Sequence, residues 1–130
     1  MPVTHVNPKS LHSNPAFSQA TIADAGRTLY IGGQNGVLPD GSIPPDAAEQ
    51  TRIALRNLLT ILEEVGATQA DVAKLTIILV DTVDIQAGYV ASREVWGDFP
   101  TALTVLRVSA LARPDALVEI EAIASLPPAT

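Results

Sequence analysis

The sequence predicts an α+β domain in which two helices cover one face of a mixed sheet, with elements in the order ββαβαββ. Three observations carry this. Residues 46–65 place Ala48, Thr51, Leu55, Leu58, Leu59, Leu62 and Val65 near the 3.6-residue period, so one helix face is apolar. Residues 74–80, KLTIILV, are rich in β-branched side chains and suit a strand buried on at least one face. Residues 117–125 alternate apolar and acidic positions through VEIEAIA, the period-two pattern of a strand with two unlike faces. Strands interleaved with helices in this way pack as helices on a sheet.

Taken in order, residues 1–16 hold three prolines, two histidines and no periodicity, and read as an extended N-terminal arm. Phe17–Ala23 reads as the first strand. Asp24-Ala25-Gly26 turns into a second, Thr28–Ile31, which Gly32-Gly33-Gln34-Asn35-Gly36 interrupts. Pro39-Asp40-Gly41 marks a turn in the loop that follows. Asp46 is placed to cap the long helix, with Glu49 three residues on, and Gly66 to end it. Thr68 is a candidate cap for a short turn before the 74–80 strand. A second helix runs from about Asp84 to Trp96, with Ile85, Gly88 or Tyr89, Ser92, and Val95 or Trp96 as its inner stripe. Residues 101–108 form the next strand, 109–115 a loop with Arg113-Pro114, and 126–130 a proline-rich tail.

At 130 residues the chain is expected to be a single domain burying roughly two thirds of its chain surface. No apolar run approaches the ~18 residues of a membrane span. The first residues lack the apolar core of a secretory signal, and there is no cysteine, so a cytoplasmic location is expected and thiol chemistry is excluded. Net charge is −6, and the eight basic residues, Lys9, Arg27, Arg52, Arg56, Lys74, Arg93, Arg107 and Arg113, are spread singly. That pattern argues against nucleic-acid binding, which draws on a basic stripe.

Few residues offer chemistry. The glycine loop at 32–36 lacks the lysine and hydroxyl of a phosphate loop; it is either a turn that needs glycine or a set of exposed backbone N–H groups that meets a small anionic ligand. His5 and His12 have no third ligand at metal-binding spacing. Asp84 reads as an N-cap. Glu119 and Glu121 share one face of the last strand: they serve acid–base work or orient a water, or else face solvent or pair with Arg107 or Arg113.

Several segments together resemble the RidA (YjgF/Rid) family of enamine/imine deaminases. NPAFSQA resembles that family's G-P-Y-S-Q-A opening, LYIGGQNGVLPDGSI its S-G-Q strand and loop, and EQTRIALRNLLTILEEVGAT its first helix. DVAKLTIILVD and LARPDALVEIEAIA resemble its central and closing strands. The resemblance implies a chorismate-mutase-like fold and a homotrimer with a central barrel and a small-molecule cleft between subunits. It also implies hydrolysis of 2-imino or 2-enamino acids to keto acid and ammonia, with no metal or organic cofactor.

Carried over by position, Glu119 matches the glutamate that positions water. Phe17 stands for a cleft tyrosine, Gly32-Gly33-Gln34 for the S-G-Q loop, Tyr89 for an asparagine, and Val105 for a residue whose carbonyl faces the substrate. Leu103 stands where the family has the arginine that holds the substrate carboxylate. Such an arginine contact is worth roughly 1.5–3 kcal/mol, tenfold to a hundredfold in binding. Arg107 shares strand parity with Leu103 but lies about 13 Å along the strand, a rim residue rather than a replacement. The expected activity is therefore weak on ordinary imino acids, with a less anionic substrate favoured. The alternative is a non-catalytic ligand-binding or regulatory trimer.

Overall fold

The computed structural model describes residues 3–128. Six strands and two helices run in the order β1 (Val3–Val6), β2 (Ala20–Ala23), β3 (Arg27–Gln34), α1 (Ala47–Glu64), β4 (Val72–Val80), α2 (Ile85–Trp96), β5 (Ala102–Val108) and β6 (Val118–Leu126). Four strands form one sheet in the order β3-β6-β4-β5, with β4 and β5 parallel and the other pairs antiparallel. The expected ββαβαββ order stands with one strand added in front. Within residues 1–16, read as an arm, Val3–Val6 pairs antiparallel with β2, and Val3 is buried. Prolines at 2, 8 and 15 hid a four-residue β-branched run that is short enough to fit between them. The strand expected over Phe17–Ala23 is confined to its last four residues, because Ser18 bridges instead to Ala102 at the start of β5.

Both helices end where the chain supplies caps. Asp46 accepts from the Glu49 N–H (3.1 Å) and Gly66 takes φ +74°; Asp84 accepts from the Gln86 N–H (3.0 Å) and Gly97 takes φ +80°. Thr68 and Asp71 cap a single 3₁₀ turn before β4 reciprocally. Leu55, Leu58 and Leu62 of α1 are fully buried against Val118, Ile120 and Ala122 of β6, so the core lies between α1 and the sheet. Arg52 bridges Glu94 of α2 and Glu49 of α1, both at 3.1 Å, tying the helices together. Glu94 first and Glu49 second raise the Arg52 pKa above its ordinary value.

Register assigns each side chain to a face. Leu75, Ile77 and Leu79 of β4 lie opposite Leu103, Val105 and Arg107 of β5 and Ala122, Ile120 and Val118 of β6. Residues in register share a face, so these point toward the helices. Lys74, Thr76, Ile78, Glu119, Glu121, Thr104 and Leu106 point the other way. That outer face exposes Leu106 and Ile123 and, on β3, Tyr30, which is 75% accessible.

Candidate functional site

Two partial sites emerge, one on each side of the sheet. On the outer side, Glu119 lies across Gly33. A Cβ placed on Gly33 would come within 2.6 Å of the Glu119 carboxyl carbon and Oε2. Asn35 Nδ2 donates to Glu119 Oε1 (3.3 Å) and to the Val118 carbonyl (3.0 Å), so the amide holds the carboxylate at one oxygen. Asn57 on α1 in turn donates to the Val37 carbonyl (3.2 Å) and the Asn35 carbonyl (3.5 Å), fixing the loop from the helix side. One step further, Gly36 packs on α1, where a Cβ would meet Gln50 Cα at 2.5 Å.

The glycines at 32–36 thus do not serve as a turn that needs glycine for an unusual backbone angle. None has a positive φ, and Gly33 and Gly36 are needed for close approach to Glu119 and to α1. Gly32 and Gly33 belong to β3 itself, where the register with β6 slips between Ile31 and Gln34. Such an irregularity re-aims side chains beside a site. Gln34 falls opposite Ile120 rather than Glu119, and its amide folds back to donate to the Gly32 carbonyl (3.1 Å). Replacing Gly36 with alanine is expected to cost about 2–4 kcal/mol, because backbone rather than a side-chain tip must yield. Urea titration of the variant checks it, through a lowered midpoint at unchanged slope.

On the helix side, Leu103 and Val105 line an apolar cavity of about 120 Å³ between α2 and strands β4 and β5. Leu75, Ile77, Tyr89 and Trp96 are among the other residues of its wall. The cavity exists because α2 packs on α1 rather than down onto β5. The stripe expected to be the inner face of α2 does look toward the sheet, but only in part is it closed off. Ile85, Gly88, Tyr89, Ser92 and Trp96 line the cavity, with Ile85 and Tyr89 exposed at its mouth, whereas Ala91 is the fully buried residue of the helix. Phe17 is half-buried just before the Ser18 bridge to β5, where the Ser18 N–H donates to the Thr101 carbonyl (2.9 Å) and its hydroxyl to the Pro100 carbonyl.

The structure therefore brings Gly33 to Glu119, and Tyr89 to Leu103 and Val105, but not the one group to the other within a chain. Arg107 does share the Leu103 face; its guanidinium donates to the Asp81 carbonyl (3.0 Å) at the strand end. Arg113 is engaged by Asp115 (3.3 Å), so neither arginine pairs with Glu119 or Glu121 among the described residues. Arg93 lines the cavity, bound to Asp98 at 3.3 Å. Among those residues there is also no cluster of three or more His, Asp or Glu side chains able to hold a metal, and no helix is long and apolar enough to cross a membrane.

Sequence reasoning missed Asn35, which holds Glu119, Asn57, which holds the loop around Asn35, and Gln50, which holds the chain at Pro44 and at Asp115–Leu117. The signal was present in part: Gln50 and Asn57 sit about two helical turns apart beside the apolar stripe of α1, where a polar side chain needs a partner.

The family model described as endoribonuclease L-PSP matches residues 7–126. A 2-iminobutanoate/2-iminopropanoate deaminase of Rattus norvegicus is 36% identical over 118 residues, 88% of this chain and 83% of that protein. A RutC family protein of Pyrococcus abyssi is 34% identical over 110 residues, 83% of this chain and 84% of its own. Among solved structures, a conserved Rid family protein of unknown function from Yersinia pestis superposes with a TM-score of 0.86 at 33% identity, covering 97% of this chain and all of that one. Matches of this extent, on a fold whose helices lie to one side of a mixed sheet, place the chain in the endoribonuclease L-PSP family, the RidA/YjgF (Rid) family.

Proposed function

We propose that this chain hydrolyses a small, weakly anionic or neutral imine or enamine in a cleft between copies of itself. One copy supplies the Leu103 cavity and the next supplies Glu119. The observation that carries this is the placement of the two halves on opposite faces of one sheet, with the sheet backbone between them. A second copy is the means of joining them. The outer face supports that reading: Tyr30, Leu106 and Ile123 are apolar side chains left exposed on it, as on a surface that a neighbour covers. A closed ring of three copies, as the family resemblance implies, buries that face in each. A cytoplasmic location goes with the absence of cysteine.

In the proposed reaction, water adds to the imine carbon and the carbon–nitrogen bond then breaks, giving a carbonyl compound and ammonia. Glu119 takes one proton of the attacking water and returns it to the nitrogen, then takes the hydroxyl proton and passes it on as the carbon–nitrogen bond breaks, so the nitrogen leaves as ammonia. Asn35 holds one carboxylate oxygen, which leaves Oε2, the oxygen over Gly33, as the one free to meet water. Leu103 sets the preference among substrates. It is half-buried and packed against the core, so a substrate carboxylate beside it would lose its hydration, and the cation in the same wall, Arg93, is already paired with Asp98.

The test is ammonia release from imines made in situ. Imino acids generated by an amino-acid oxidase are expected to turn over weakly, tenfold to a hundredfold below the rate for neutral imines of similar size. Saturable turnover of 2-iminopropanoate at low micromolar substrate, lost on Glu119→Gln substitution, would show instead that the cleft holds a carboxylate despite Leu103. An alternative reading, a trimer that binds ligand without turnover, is met by the same assay: ligand-induced thermal stabilisation with no ammonia release from any imine favours it.

A further inference from the structure

We propose that Gly88 of α2 sets the size of the substrate side chain: by carrying none of its own, it keeps the cavity between α2 and the sheet open to a branched apolar group on the imine carbon. The inference deepens the cleft reading and rests on it for the reacting group outside the cavity mouth. It goes further in naming the substrate class and the residue that selects it.

Glycine inside a helix weakens it relative to alanine, so its presence there calls for a reason. Two reasons are ordinary: a positive φ, or an approach too close for a Cβ. Gly41, Gly66 and Gly97 have the first. Gly26, Gly33 and Gly36 have the second, since a Cβ on each would collide with Leu126, Glu119 and Gln50 respectively. Gly88 has neither. Its φ is not positive, its N–H donates to the Asp84 carbonyl in ordinary helical fashion (3.2 Å), and a Cβ on it would meet nothing within 4 Å. Gly32, next to the glycine on which Glu119 rests, is the other glycine of this kind. The two glycines that the backbone does not require thus lie in the two halves of the proposed cleft.

The open space beside Gly88 is the cavity. Gly88 is half-buried and lines it, as do Ile85 and Ser92, three residues before and four after on the same helix face. A side chain at 88 would therefore project between these two, over Leu75, Ile77, Leu103 and Val105 of the facing sheet. Those four residues make an apolar wall, and the hydroxyls beside it are spent on backbone. Thr51 donates to the Ala47 carbonyl (2.8 Å), Ser92 to Tyr89 (2.7 Å) and Thr101 to Val72 (2.8 Å). A volume of about 120 Å³ is close to that of apolar cavities, ~150 Å³, that take up benzene. A branched aliphatic group fits that space; a leucine at 88 would occupy it instead.

The probes are 4-methylpentan-2-one and acetone, carbonyl compounds of the kind the proposed reaction releases, with binding to the full chain read by ligand-detected saturation transfer. The branched ketone carries three more carbons and is expected to bind the wild type at least about tenfold more tightly. Gly88→Leu should bring the two affinities to within about twofold of each other by weakening the branched ketone alone. Gly88→Ala should narrow the preference by about two- to fivefold while raising the thermal midpoint by about 2–4 °C, because the helix gains a better former. An unchanged preference in Gly88→Leu, an equal weakening of both ketones, or a lowered midpoint in Gly88→Ala would each overturn the proposal; the last would give the glycine a packing role. The hydrolase reading fails separately. A ketone preference that responds to Gly88, with no imine turnover in the wild type, leaves the size rule standing and removes the hydrolase. Turnover that depends on Glu119, with no ketone preference in the wild type, removes the size rule alone.

Discussion

Replacing Gln50 with alanine is expected to destabilise the chain by about 3–5 kcal/mol, enough to lower the thermal midpoint by about 10 °C or more. Gln50 is fully buried in the first half of α1. Its amide donates to the Pro44 carbonyl (2.8 Å) and the Asp115 carbonyl (3.1 Å), and its Oε1 accepts from the Leu117 N–H (2.8 Å). Three backbone groups from two loops thus end on one side chain. Truncation strands all three away from water at ~1–3 kcal/mol each, less what a relaxed loop recovers. A glutamate at 50 keeps an acceptor for the Leu117 N–H but, when ionised, sets a buried charge against the Pro44 and Asp115 carbonyls; binding a proton removes the charge and restores one donor. Its midpoint should therefore rise as pH is lowered. Differential scanning calorimetry at two pH values measures both variants. A loss under 1 kcal/mol in Gln50→Ala would mean that water replaces the amide and that the loops are not held from α1.

The second large effect concerns the division of the cleft between copies. Glu119→Gln keeps side-chain size and is expected to lower imine turnover by about 10²–10⁴-fold, the range for a positioned base. Val105→Trp fills the cavity mouth at a residue that is 44% exposed, so it blocks entry without overpacking the core, and is expected to lose turnover to a similar degree. Neither variant alone leaves an intact cleft. When the two are unfolded together and refolded, a site can join an open cavity from one chain to a native Glu119 from the other. About a quarter of wild-type turnover is then expected from random mixing in a symmetric ring. No recovery in mixtures whose mixed assembly is confirmed by mass would place the whole reaction within one chain and refute the shared cleft.

Much of this architecture was legible because it depends on local periodicity. The KLTIILV strand and the caps at Asp46, Thr68 and Asp84 follow from side-chain spacing and short-range hydrogen bonds, and each appears where it was expected. The α1 stripe holds through Thr51, Leu55, Leu58 and Leu62, but Val65 is exposed past the helix end and Ile53 and Ala54 are buried in its place. Val3–Val6 escaped because a four-residue strand between prolines carries too little pattern, and its partner Ala20–Ala23 lies well beyond a hairpin turn in sequence. The α2 stripe was correct in direction and misleading in consequence. Spacing says which side of a helix is apolar, not whether the helix descends far enough to close on the sheet.

The sequence by itself determined the layer order, that Glu119 and Glu121 share one face of the last strand, and that residue 103 carries no charge, since alternation and residue identity are properties of the chain alone. Only the tertiary structure decided that Glu119 rests on Gly33 under Asn35, that Gln50 pins two distant loops, and that Leu103 opens onto a cavity on the other side of the sheet. Each of these arises from approach between segments far apart in sequence, where backbone-to-backbone distance and helix standoff, rather than local preference, set which atoms meet.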